Sequence, residues 1–123
     1  MLIVVVVAVI VKKAAFAGDT MKFGISGSMT TGASAGALHA DNSHGFTPTG
    51  VYDAFVYDSN GSLVKSMTGR VNSAGIPQWR WTRADCEGRF VLCPEGAYSV
   101  LAVDESSGRV TRASFGISRV DSQ

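Results

Sequence analysis

The chain has 123 residues, a formal net charge of +1, a charged fraction of 17% and 14 glycines. This length fits one domain, and the near-zero charge excludes the basic footprint of a nucleic-acid-binding protein, so we predict no nucleic-acid partner. The many small polar residues favour strands and turns over long helices.

The N-terminus carries an uninterrupted apolar run of ten residues, 2–11, followed by Lys12 and Lys13. Eight of the ten are β-branched, which favours an extended conformation. As a possible assembly segment we single out Leu2, Ile3, Val4, Val5, Val6, Val7, Val9, Ile10 and Val11.

Three structures fit this run. A secretory leader has an apolar stretch of about 7–15 residues, and Ala15-Phe16-Ala17 offers a cleavage site. A membrane-spanning helix needs about 20 apolar residues, which requires extension over residues 2–17 across both lysines. A strand buried on both faces also has a continuous apolar sequence. Residues 1–17 are therefore a leader, an anchor or a donor strand.

Residues 18–50 are expected to form one strand and a loop rich in Gly and Ser. Met21, Phe23 and Ile25 alternate with polar or small residues, which predicts a half-buried strand at 21–26. Residues 27–36 are predicted to be a loop or a weak edge strand.

His39, Asp41 and His44 lie close together in the sequence and have side chains that can ligate a metal ion. Their spacing matches no metal site with a known mechanism. We interpret them as polar loop residues and predict neither a metal nor a cofactor.

A β-hairpin is predicted next. Residues 51–57 are rich in Val, Tyr and Phe, with Tyr52, Ala54 and Val56 on one face. Asn60-Gly61 is typical of a type I′ turn, and residues 62–67 return as the partner strand. Asn60-Gly61-Ser62 is also an N-glycosylation sequon, although the turn alone accounts for its Asn and Gly.

Both tryptophans fall on one face of a predicted strand at 78–83. Trp79 and Trp81 could form an exposed platform that stacks on sugar rings. Because Trp is large and costly to leave exposed, we favour the alternative, in which both rings lie in the core.

The C-terminal third has two short apolar runs, 90–92 and 98–103, each preceded by a turn rich in Gly. A polar turn is predicted at 104–108. The last strand, 109–117, carries Thr111, Ala113, Phe115 and Ile117 on one face.

Together these elements predict an all-β fold, an immunoglobulin-like or prealbumin-like sandwich of about seven strands in addition to the N-terminal run. We place the sandwich core at 51–119 and a polar tail at 120–123.

Cys86 and Cys93 are seven positions apart. Fully extended, that span is roughly 23–25 Å, whereas the Cα atoms of a disulfide lie about 4.4–6.8 Å apart. A bond therefore requires a bent segment. We favour the disulfide because a small secreted domain gains stability from one, and two separate thiols are the alternative.

The central stretch resembles the repeats of carboxypeptidase-regulatory-like and Cna-B-like domains. The resemblance covers roughly 51–117. Its residues are Val56, Asp58, Gly61, Leu63, Val64, Thr82, Asp85, Gly88, Arg89, Phe90, Leu92, Pro94, Gly96, Tyr98, Val100 and Ala102. The resemblance implies a prealbumin-like β-sandwich without catalytic activity, which serves as a stalk, structural module or adhesive part of an extracytoplasmic protein.

No arrangement typical of catalysis occurs in the sequence. The two histidines lie in one loop, and no Gly-x-Ser-x-Gly nucleophile turn, phosphate loop or dinucleotide-binding pattern is found. We therefore predict a non-enzymatic structural or adhesive module, in its sharper form a self-assembling surface-filament subunit, with other copies or cell-surface proteins as partners. The alternatives are a carbohydrate-binding module and a membrane-anchored accessory domain.

Overall fold

A computed structural model describes residues 21–30, 36–82, 85 and 94–119. Within them the chain forms seven strands in two antiparallel sheets, which confirms the predicted β-sandwich. The strands are Ser26–Met29 (β1), Gly36–His39 (β2), Val51–Tyr57 (β3), Leu63–Arg70 (β4), Arg80–Thr82 (β5), Gly96–Asp104 (β6) and Val110–Ile117 (β7).

The first sheet has the strand order β1-β2-β5 and the second has the order β4-β3-β6-β7. Residues 21–50 thus supply two strands of the sandwich. The buried face of β3 consists of Tyr52, Ala54 and Val56, as the alternation predicts. Across the ladder, Ala54 and Val56 face Ala102 and Val100 of β6, which are also buried.

The prediction for the N-terminal part was wrong in its boundaries. Residues 21–25 are extended beside 42–44, where Lys22 and His44 exchange both backbone hydrogen bonds, but β1 itself begins at Ser26. Of the two alternatives for 27–36, a loop or a weak edge strand, the strand is present at both ends, with Gly27 in β1 and Gly36 in β2. Gly27 lets β1 and β2 approach closely, because a Cβ on Gly27 would lie 2.5 Å from the Ala37 carbonyl oxygen.

The β3–β4 hairpin is present, but its turn differs from the prediction. A type I′ turn requires positive φ at both central residues, and in this loop only Gly61 has it, at 81°. The Asp58 carbonyl accepts a hydrogen bond from Gly61 N–H at 3.0 Å. The Asp58 carboxylate accepts bonds from Asn60 N–H at 2.9 Å and Ser62 N–H at 3.0 Å. Asp58 therefore organises a longer loop that ends in one left-handed glycine.

Candidate functional site: the edges of the sandwich

The tryptophans occupy the centre of the core. Trp79 is 2% exposed and Trp81 is 0% exposed, which confirms the core interpretation. Their rings stack at 6.2 Å, with Phe23 at 5.3 Å from Trp79 and Phe115 at 6.2 Å from each indole. Rings enclosed in this way cannot stack on a sugar, so the carbohydrate platform at Trp79 and Trp81 was wrong.

The enclosure of the two indoles is apolar. Within the part of the chain that the structure describes, neither Trp79 Nε1 nor Trp81 Nε1 has a hydrogen-bond partner.

The polar residues at 39–44 do not form a site. His39 lies in β2 opposite Arg80, and His44 pairs through its backbone with Lys22. Among the described residues, no group of three or more His, Cys, Asp or Glu side chains could hold a metal ion.

One end of the sandwich is closed by a buried carboxylate that the sequence analysis missed. Asp104 was assigned to a solvated turn, but it is 0% exposed. Its Oδ2 accepts hydrogen bonds from Thr47 Oγ1 and Ser107 Oγ, both at 2.6 Å. The Asp104 carboxylate also accepts hydrogen bonds from two backbone N–H groups. Thr47 N–H donates to Oδ1 at 3.0 Å and Ser107 N–H donates to Oδ2 at 3.2 Å.

These bonds also set the charge state of Asp104. Burial acts to raise the pKa of the carboxyl, but the hydrogen bonds from Ser107 and Thr47 outweigh burial and lower the pKa below its ordinary value. The turn is fixed further by Arg109, whose guanidinium donates to the Gly45 carbonyl oxygen at 2.8 Å. Asp104 follows Tyr98, Val100 and Ala102 at the same two-residue spacing. The alternation in the sequence could therefore have predicted that Asp104 is buried.

Two sets of contacts join β4 to the segment that includes β5. Lys65 pairs with Val56 and therefore points toward the core side, where its ammonium meets Asp85 at 2.6 Å. Asp85 also accepts bonds from Thr82 N–H at 2.6 Å and Thr82 Oγ1 at 3.3 Å. The Asp85 side chain is only 17% exposed, so this carboxylate is largely shielded from solvent.

The second set of contacts lies at the far end of β4. The Arg70 carbonyl accepts a hydrogen bond from Gln78 N–H at 2.9 Å, and Val71 forms a bridge with Pro77. Both ends of the β4 edge are therefore occupied by the segment that includes β5.

The opposite side, between β1 and β7, is joined at one corner. Ser118 N–H donates to the Met29 carbonyl at 3.1 Å, and Thr30 forms a parallel bridge with Ser118. From Val110 to Ser114, no strand in the described residues pairs with the outer edge of β7. An unpaired edge presents a row of free N–H and C=O groups, which is a template for another strand.

Apolar side chains accompany this edge on both faces. On the core side, Met21 and Ile25, which lead into β1, and Ala113 of β7 are half-buried and pack against the core. On the outer face, Val103 and Val110 are cross-strand neighbours and are also half-buried. On the outer face of β7, Val110 is followed by the exposed side chains of Arg112 and Ser114, so the apolar part of that face lies at the Val110 end.

Several predicted features fall outside the described residues. They are the apolar run at 2–11, the strand at 90–92, and the pair Cys86 and Cys93. No helix in residues 21–30, 36–82, 85 and 94–119 has the length and apolar character needed to cross a membrane.

A comparison of the sequence with protein-family models and with curated proteins finds no match.

Proposed function

We propose that the protein is a non-enzymatic, extracytoplasmic structural module that assembles with copies of itself through its N-terminal apolar segment. The observation that supports this proposal is the outer edge of β7, which pairs with no strand among residues 21–30, 36–82, 85 and 94–119, in a sandwich whose β4 edge is held at both ends. The extracytoplasmic location follows from the resemblance to carboxypeptidase-regulatory-like and Cna-B-like domains.

The N-terminal run has the chemistry of an added strand. Strand addition obtains affinity from main-chain hydrogen bonds and register from alternating side-chain pockets. Full burial of a Val or Ile side chain contributes about 1.5–3 kcal/mol, whereas fixing the backbone of one residue costs about 1–2 kcal/mol. A run that is apolar at every position therefore gains free energy only where both of its faces are covered.

Deleting residues 1–17 tests the proposal. We expect the full chain to form large assemblies in sedimentation velocity and electron microscopy, and the shortened chain to remain monomeric. Far-UV circular dichroism and tryptophan fluorescence provide the folding control, because both report on the sandwich itself. Assemblies that persist after the deletion would reject the proposal.

The membrane-anchor alternative predicts a different result from the same pair of chains. A full chain that floats with liposomes as a monomer, while the shortened chain does not, would favour an anchor over assembly. We expect assembly without lipid.

A further inference from the structure

We infer that the outer edge of β7 between Val110 and Ser114 is the surface that receives a strand, and that its occupant is the apolar run 2–11 of another copy. This inference rests on the proposed function and adds to it the receiving edge.

The backbone orientation of β7 identifies which groups are available. The Arg109 carbonyl accepts from Asp104 N–H, so residue 109 points toward β6, whereas Ser118 N–H points outward to Met29. Alternate residues of a strand direct their N–H and C=O groups to the same side. Arg112 and Ser114 therefore direct both groups to the outer edge, while Ala113 directs its own to β6.

The side chains beside the edge give an apolar inner face at Ala113 and a mixed outer face, on which Arg112 and Ser114 are exposed. Inward-pointing residues of the added strand would cover Ala113, which already packs against the core but is only half-buried. Outward-pointing residues would extend the pair Val103 and Val110. A strand with charged residues at its inward-pointing positions would leave the core side uncovered.

The edges of β4 and β5 fit this occupant less well. The edge of β4 is held near Lys65 by Asp85 and near Arg70 by Gln78. An inward-pointing Lys on an edge strand is also a recognised barrier to strand addition. The strand β5 has three residues, which gives a ladder of only about 10 Å.

Proline at an outward-facing position tests the edge selectively. Ser114→Pro removes an N–H that points away from β6, so the β6–β7 ladder keeps its hydrogen bonds. We expect this variant to stay folded and to raise the critical concentration for assembly about tenfold or more. Ser114→Ala retains the N–H and is expected to assemble like the unmodified chain.

A matched variant places the same change on the other edge. Because the Arg70 carbonyl points outward to Gln78, the N–H of Ser66, four residues earlier in the same strand, also points outward. Ser66→Pro is therefore expected to leave assembly unchanged. Loss of assembly in Ser66→Pro with normal assembly in Ser114→Pro would assign the occupant to β4 and overturn the inference.

Amide hydrogen exchange on the full chain gives a readout that does not depend on a variant. We expect the amides of Arg112 and Ser114 to exchange rapidly in dilute monomer and slowly in assemblies, with the Ser66 amide unchanged. Assemblies in which Arg112 and Ser114 still exchange rapidly would overturn the receiving edge alone.

The same measurement separates failure of the proposed function from failure of the edge. A chain that stays monomeric with Arg112 and Ser114 protected would show that its own residues fill the edge, which rejects self-assembly and retains the edge as a strand acceptor. A monomer in which both amides exchange rapidly would reject both.

Discussion

At Asp104, a buried charge connects two loops whose bonded residues are 57 positions apart in the sequence. Burying an isolated carboxylate is costly, but donors on every side compensate. Thr47 and Ser107 each contribute a hydroxyl and a backbone N–H to it. The residue thus stabilises the closed end of the sandwich more when it is ionised than when it is protonated.

The pH dependence of stability tests this role. Because the pKa of Asp104 in the folded state lies below its ordinary value of 3.8, its contribution is present above that value and is lost as the pH falls through the folded-state pKa. Asp104→Asn is expected to lose about 2–3 kcal/mol of unfolding free energy at pH 7. Urea titrations at several pH values should show this difference shrinking in acid, whereas parallel stability curves would contradict it.

Gly61 and Asn60 provide a second test at single residues. Gly61 has φ near 81° with open space around its Cα, so Gly61→Ala should cost about 1 kcal/mol from backbone strain alone. Asn60→Ala should be within about 0.5 kcal/mol of the unmodified chain. Urea midpoints of the two variants measure this, and equal losses would instead indicate a type I′ turn.

At the level of the strands, the edge strand β4 carries a charged residue, Lys65, that forms an ion pair with Asp85. Lys65 occupies a core-side position, yet its side chain is 41% exposed and reaches Asp85. The pair connects β4 of one sheet to the residue that follows β5 of the other. Asp85 does more than pair with a charge, because it also binds the Thr82 backbone.

Substitutions of the two partners should therefore differ in cost. Asp85→Ala removes both the ion pair and the bonds to Thr82, and we expect a loss of about 1–2 kcal/mol. Lys65→Ala removes only a partly exposed ion pair, which is typically worth less than about 1 kcal/mol. Thermal or urea unfolding of the two variants measures the difference, and a larger loss for Lys65→Ala would contradict it.

The sequence predicted those elements whose pattern is local. The alternation in β3 and β7 and the paired tryptophans were sufficient to place strands and core residues, because a strand repeats every two residues. For β1 and β2 the sequence left a loop and a weak edge strand as alternatives, because glycines are typical of loops, and the close approaches of Gly27 to Ala37 and of Gly36 to Ser28 explain why glycines stand in these strands. The alternation in β6 indicates that Asp104 is buried, but its donors at Thr47 and the lack of a partner for the outer edge of β7 among the described residues depend on which distant segments meet, which periodicity does not contain.

For the whole molecule, the tryptophan cluster joins the two sheets into one core. Trp79 and Trp81 lie in or beside β5 of the first sheet, and both rings contact Phe115 of β7 in the second. The closed end at Asp104 and the Lys65–Asp85 pair connect distant segments at the periphery. With the core continuous between the layers, neither sheet can lose its packing alone.

Unfolding should therefore be a single cooperative transition. In urea, tryptophan fluorescence reports the contact between the layers and far-UV circular dichroism reports the strands, and we expect their midpoints to coincide. Acrylamide should quench both indoles weakly before the transition and strongly after it, because both are buried in the native state. Phe115→Ala serves as a matched variant, since it removes the ring that contacts both indoles. It should shift both transitions together by about 3–5 kcal/mol, whereas a fluorescence change that precedes the loss of strands would show that the layers separate first.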